Sequence, residues 1–224
     1  HKVLDIGCGW GGMAFEIAQQ SQCEVTGISL SENQIKYCKE KAKELNLDNQ
    51  VRFELLDYRS VNSKFDRIVS VGAFEHFGKK FYKTFFKKVK NIMNDDGICL
   101  LHTIGSVDEP GPNQPFIQKY IFPGGIVPSL SEIITPIEKT GLVLSDCETL
   151  IHHYDKTLKA WLDRFMKNKE KAKYLHNKEF VRMWEFYLAS CSAGFKFRDL
   201  VVYQLQLVKN FTALPSNRRN YIYQ

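Results

Sequence analysis

Two short stretches hold residue types that could do chemistry. In "VSVGAFEHFGKK" (Val69 to Lys80) an apolar run stops at Gly72 and at once delivers a carboxylate and an imidazole, Glu75 and His76. Such a pair at a strand end could move a proton, orient an anion or form a polar loop. In "VLDIGCGWGG" a β-rich run enters a helical pattern through Gly7, Gly9 and Gly12, which fit G-x-G-x-x-G. Glycines there let the backbone run against a cofactor, because no Cβ stands in the way. Loops that bind dinucleotides and loops that bind S-adenosylmethionine share this pattern.

Two details separate the alternatives. A dinucleotide site usually ends its second strand on an acid that takes the ribose hydroxyls. Here that strand ends "GISLSENQ", with Ser29 in the acid's place. Asp5 stands two residues before the first glycine, in a D-x-G-x-G arrangement, where a carboxylate can accept hydrogen bonds from the methionine part of a cofactor. Asp57, closing "ELLD", suits an adenine amino group, and Tyr58 beside it offers a ring to stack on the base. S-adenosylmethionine is therefore the expected cofactor.

These residues need elements to position them. Strands are predicted at "KVLDIG", "CEVTGISL", "VRFELLD", "FDRIVSVG", "ICLLHTIG", "LVLSDCETL" and "LVVYQLQLVKN". Helices are predicted at "GGMAFEIAQQ", "SENQIKYCKEKAKELN", "FYKTFFKKVKNIMN", "LSEIITPIEKTG", "TLKAWLDRFMKN" and "EFVRMWEFYLASCSAGF", with "DDG" as a turn. Ser31 is a helix cap, and Ile35, Cys38 and Ala42 share one face. The alternation implies an α/β fold: a mostly parallel sheet with helices on both faces. Residues 106–130 break the pattern. They carry much of the proline but also Phe116, Ile117, Tyr120, Ile121 and Phe122, too apolar for a linker. A single domain over 1–224 is expected, with 106–130 and 152–198 as insertions that cover a substrate.

Composition is that of an ordinary globular protein, with 44% hydrophobic and 25% charged residues among 224. No apolar run approaches the ~18 residues of a membrane span. The six cysteines (Cys8, Cys23, Cys38, Cys99, Cys147, Cys191) form no C-x-x-C and no zinc spacing, which suits reduced cytosolic thiols and no metal. Net charge is +6, but Lys79 to Lys90 hold six lysines and no acid, a stretch suited to an acidic surface or to a solvated helix face. The chain opens directly on strand-like sequence, so a preceding segment is expected.

Together "VLDIGCGWGG", "TGISLSENQ", "VGAFEHFG", "FIQKYIFPGG", "HYDKTLKAW" and "FYLASCSAGFKFRDLVVYQLQLVK" resemble the cyclopropane-fatty-acyl-phospholipid synthase family, which includes the mycolic acid cyclopropane synthases. The glycine loop is generic; "FIQKYIFPGG" and "HYDKTL" are specific. The resemblance implies a class I methyltransferase (Rossmann-like) fold and transfer from S-adenosylmethionine to a cis double bond of a phospholipid acyl chain. It further implies that Ser29 and Gln34 hold the cofactor ribose and that Asp57 and Tyr58 bind adenine. It implies a bicarbonate ion as base, held by Glu75, His102, Tyr154 and the amide of Ile104. A cysteine, a tyrosine and a serine that the family places before the first strand are not in this sequence. Cys191 matches a position sometimes credited as an active-site thiol, although a small side chain packing a late helix is the plainer role. His102 on its own would read as a core histidine, His76 matches no base role, and His152 and His153 read as structural.

The implied chemistry starts with the alkene π pair attacking the sulfonium methyl carbon. The new C–C bond leaves a cation on the neighbouring carbon, and a base removes a proton from the added methyl so that the ring closes. Phe74, Phe77 and "FIQKYIFPGG" are candidates to keep water from the cation, each with core packing as the plain alternative. The substrate places the protein in the cytoplasm at a membrane surface, with Lys79 to Lys90 as the docking helix, no nucleic acid partner and a possible homodimer. Three alternatives stand: a small-molecule amine N-methyltransferase, a lipid methyltransferase that stops at a branched methyl, and a non-catalytic binding module.

Overall fold

The computed structural model describes residues 1–214 and 219–223. Strands and helices alternate through the first half of the chain: β1 (Lys2–Ile6), α1 (Gly12–Gln20), β2 (Glu24–Ser29), α2 (Glu32–Glu44), β3 (Val51–Leu55), β4 (Phe65–Val71), α3 (Tyr82–Ile92) and β5 (Met93–Ser106). The second half contains α4 (Pro115–Tyr120), α5 (Leu130–Glu138), β6 (Val143–Leu150), α6 (His153–Lys167), α7 (Lys169–Leu175), α8 (Lys178–Phe197) and β7 (Leu200–Val208). All seven strands join one sheet in the order β3-β2-β1-β4-β5-β7-β6. β7 alone runs antiparallel, to both β5 and β6.

Sequence pattern explains these positions. β1 buries Val3, Leu4, Asp5 and Ile6 in succession, as a central parallel strand covered on both faces does. Ser31 caps α2 by accepting from the Gln34 amide at 3.4 Å, and Ile35, Cys38 and Ala42 face the core. α3 buries Tyr82, Phe85, Phe86, Val89 and Ile92 along one stripe. At about 1.5–3 kcal/mol per large buried apolar side chain, that stripe fixes the helix against the sheet and leaves its lysines outside.

The strand order reverses between β1 and β4, and this sets where the site lies. Open α/β sheets bind ligands beyond the carboxyl ends of strands at such a switch point. The loops after β1 and β4 meet there: a Cβ on Gly7 would stand 2.5 Å from the Cβ of Ala73.

Several local expectations are corrected. "DDG" is not a turn between elements. Met93 already pairs with Phe65, the ladder resumes at Arg67 with Ile98, and Asn94–Gly97 bulge out between them. Polar contacts hold the bulge, with Asn94 donating to Asp66 at 2.7 Å and Lys209 to Asp95 at 2.7 Å. The irregular insertion contains α4. Three helices rather than two separate β6 from β7, and α6 begins at His153, so Tyr154 lies in its first turn. Leu158, Tyr187, Leu188, Phe195 and Val202 form the core between α6, α8 and the β5–β7 end of the sheet. No helix among the described residues is long and apolar enough to cross a membrane.

Candidate active site

Glu75 follows β4 in a short 3-10 turn (Phe74–His76) and is buried. Its Oε1 accepts the Ile104 amide at 2.7 Å. Its Oε2 is buried with no protein partner. Burial raises the carboxyl above its ordinary range, against the pull of the Ile104 amide and other donors. A carboxyl in this state can hold a proton and donate it.

Beside Glu75 lies a cavity of about 460 Å³, lined by Ile104, Tyr154, Cys191, His76, Phe122 and Tyr187 among others. Both predicted insertions contribute: Asn113, Ile117 and Ile126 come from one, Leu158 and Phe195 from the other. The volume falls within the ~300–1,000 Å³ of small-molecule sites, and the wall combines apolar side chains with polar ones that include Asp108, Glu109 and Asp199. Tyr154 leans on Phe195 with ring centroids 5.2 Å apart. Burial and the neighbouring Glu75 raise its hydroxyl, keeping it a proton donor.

His102 stands one step from this wall. It pairs with Val71, the last residue of β4, and shares a strand face with Ile104, but it does not line the cavity. Burial lowers its pKa, so the neutral ring is favoured. The Ile104 amide, expected to face a bound anion, is instead engaged by Glu75. Cys191 lines the cavity, with its thiol pushed up to about 11 by burial, so it is no thiolate nucleophile at neutral pH. Phe74 and Phe77 do not shield the cavity. Phe74 stacks on Tyr82 at 4.0 Å inside the core, and Phe77 sits 5.0 Å from Tyr58.

The cofactor end is built mainly from backbone. Gly7, Gly9 and Gly11 all have φ between +55 and +83. A Cβ on Gly9 or on Gly72 would meet nothing within 4 Å, so both border open space. Asp5 ends in that corner with Oδ2 buried and unpartnered, and burial pushes its carboxyl up to about 7. An orphaned carboxylate beside open backbone fits a cofactor carrying an ammonium group. Ser29 donates to Gln34 at 2.7 Å, so the two form one polar unit at the end of β2. Asp57 accepts Arg59 through Nε at 2.9 Å and Nη2 at 2.6 Å, an ion pair that lowers its carboxyl. An adenine amino group there would share Asp57 with Arg59. Tyr58 turns one side of its ring to Phe77 and Phe85.

Comparison with known proteins settles the kinship. The sequence profile of the family described as "Mycolic acid cyclopropane synthetase" matches residues 1–205. This chain belongs to that family. The cyclopropane-fatty-acyl-phospholipid synthase of Escherichia coli (strain K12) is 41% identical over 204 residues, covering 91% of this chain and 52% of the other. The chain thus spans about half the length of the curated relatives it matches. The cyclopropane synthase MmaA2 from Mycobacterium tuberculosis superposes with a TM-score of 0.84 at 33% identity, over 92% of this chain and 77% of the other. The mycolic acid cyclopropane synthase CmaA1 complexed with SAH and CTAB gives 0.84 at 31% identity over the same shares. The fold is accordingly that of the class I methyltransferases.

In this synthetase-family site, sequence reasoning left out two residues. His76 lines the cavity wall although it matched no base role, next to Glu75 in the same 3-10 turn. Tyr187 was visible in principle, since it precedes Cys191 by one helical turn and so shares its face. A larger groove, about 1,010 Å³, runs along the face of β1–β3 opposite α1 and α2, past Thr26, Glu54 and Lys64, and holds none of the candidate residues.

Proposed function

We propose that this chain transfers a methylene from S-adenosylmethionine to a cis double bond of an unsaturated phospholipid acyl chain, with bicarbonate as base, to give a cyclopropane. One observation carries the reading: the buried Glu75, with Oε2 unpartnered, forms part of the wall of a largely apolar cavity that Gly72 also lines. The 41% identical E. coli synthase and the CmaA1 complex with SAH and CTAB support it.

When bound, S-adenosylmethionine supplies an electrophilic methyl group. Asp5 takes its ammonium, Gly7, Gly9 and Gly72 let it approach, and Ser29 with Gln34 receives the ribose. Asp57 and Tyr58 frame the adenine. Bicarbonate beside Glu75 would supply a base that removes a proton from the added carbon. Glu75, its carboxyl raised by burial, orients that ion through a proton carried by either group, and the Tyr154 hydroxyl donates from the cap. The Ile104 amide acts through Glu75, fixing Oε1 so that Oε2 serves the cavity. His102 supports the same wall from behind, and Cys191 fills space beside Tyr187. Apolar walls from Ile117, Phe122 and Phe195 exclude water that would quench a cation. The protein works in the cytoplasm as a peripheral enzyme on a bilayer.

The test is incubation of the full-length protein with S-adenosylmethionine and vesicles of unsaturated phospholipid. Cyclopropane protons by NMR, with a 14-dalton gain by mass spectrometry, are expected. A branched methyl signal or unmodified lipid overturns the reading.

A further inference from the structure

The helices α4 and α8, which give Ile117, Tyr187 and Cys191 to the cavity wall, also carry exposed aromatic rings that the chemistry does not use. Phe186 on α8 is 57% exposed and Tyr120 on α4 is 52% exposed. Phe116 links them, with its ring centroid 4.8 Å from Phe186 and 5.6 Å from Tyr120. The outer face of α8 continues the patch: Arg182, Phe186, Ala189 and Ala193 recur at helical spacing and all are exposed. Cations flank the apolar stripe, with Lys119 beside Tyr120 and Arg182 one turn before Phe186. Neither cation makes an ion pair among the described residues.

The helix first expected to dock has a different character. α3 turns its rings into the core, and Lys79 before it is bound to Glu132. Solvated lysines such as Lys83 and Lys87 remain, with a single exposed ring, Phe81 beside Lys80, just before the helix, and α3 lines no part of the cavity.

We propose that the α4–α8 face, centred on Phe186 and Tyr120, is the surface that inserts into a bilayer containing anionic phospholipid. The inference rests on the lipid reading above and says which face meets the lipid. Charge complementarity selects the occupant. An interfacial element buries aromatic side chains at the headgroup boundary while Lys and Arg meet phosphate. Here that arrangement lies on the same two helices that give Ile117, Tyr187 and Cys191 to the cavity wall, so docking would bring the lipid beside the cavity.

The experiment compares the full-length protein with a Phe186→Ser/Tyr120→Ser variant, neither position being part of the cavity wall, and with a Lys83→Glu/Lys87→Glu variant on α3. Sedimentation with vesicles of phosphatidylglycerol and phosphatidylethanolamine measures binding, and sedimentation velocity measures oligomeric state. The aromatic variant is expected to lose at least tenfold in vesicle affinity while binding S-adenosylmethionine unchanged. The α3 variant is expected to lose less than threefold. Unchanged vesicle binding by the aromatic variant overturns the proposal, as does a larger loss from the α3 variant. Conversion of a dimer to a monomer by the aromatic substitutions overturns it too, and assigns the face to a second copy. If the parent protein binds vesicles through this face yet leaves their acyl chains unmodified, the functional reading fails and the docking surface stands.

Discussion

The two ends of the site are built by different means. The cofactor end uses backbone: positive-φ glycines at 7, 9 and 11, one orphaned carboxylate, and a strand order that reverses between β1 and β4. The cavity end uses side chains from Glu75, Ile104, Tyr154 and Cys191, carried by separate elements. Backbone cradles tolerate sequence drift outside the glycines, because their contacts come from N–H groups and empty space. Convergent side chains depend on every element that carries them, so a shift of one helix changes the chemistry.

That contrast can be broken by substitution. The largest effect is expected from Glu75→Gln, which should lower turnover by about 10²–10⁴-fold, the usual range for a positioned acid or base. Its melting temperature at pH 7 should not fall, since the substitution removes a carboxyl that burial already disfavours as an anion. Full activity would remove Glu75 from the chemistry.

Gly7→Ala should come next. The new Cβ meets Ala73 at 2.5 Å, and a residue with a side chain at φ +80 costs about 1–3 kcal/mol in strain. Calorimetry should find S-adenosylmethionine binding lost, and denaturant unfolding should find reduced stability. Retention of both would contradict a backbone-built cofactor end.

Asp5 gives a pH signature. Its carboxyl is raised from 3.8 to about 7 in the folded protein. Between about pH 4 and 7 the folded form holds a proton that the unfolded chain has released, so its contribution to stability is lost as pH rises through this window. Asp5→Asn should therefore melt higher than the parent at pH 8, by roughly 1–4 kcal/mol in stability, with the gap closing toward pH 4. A gap independent of pH would mean that Asp5 is ionised in the fold. Cofactor binding through the ionised form should release a proton near pH 6, measurable by calorimetry in buffers of different ionisation enthalpy.

Cys191→Ala should do least. Its thiol is half-buried and protonated. Turnover is expected to change by less than about tenfold, because no thiolate is available to act. A loss as large as that of Glu75→Gln would make Cys191 a participant and erase the distinction between filling and chemistry at the cavity end.

Legibility followed the same division. The glycine loop, Asp5, the Ser31 cap and the apolar face of α2 could be read from local spacing, since each depends on neighbours within one or two turns. Phe74 and Phe77 could not, because strand-end aromatics look alike whether they face a core or a cavity. The Ile104 amide was assigned to a bound ion, yet its partner is Glu75, from another loop 29 residues away. Lys79 was placed on a docking surface, yet Glu132 on a distant helix claims it. Such pairings join residues far apart in the chain, and no period in the sequence encodes them.

The sequence by itself determined the alternating strands and helices, the positive-φ turns that only glycine adopts cheaply, and the family to which the chain belongs. Those follow from local sterics and from motifs in contiguous residues. Tertiary structure decided which polar groups were already satisfied and which were left facing a cavity. It gave Ile104 to Glu75, left Oε2 without a partner, turned the rings of α3 inward and left Tyr120 of α4 and Phe186 of α8 facing outward. The physical reason is that desolvation and hydrogen-bond satisfaction depend on everything packed around a group, and chain folding alone assembles those surroundings.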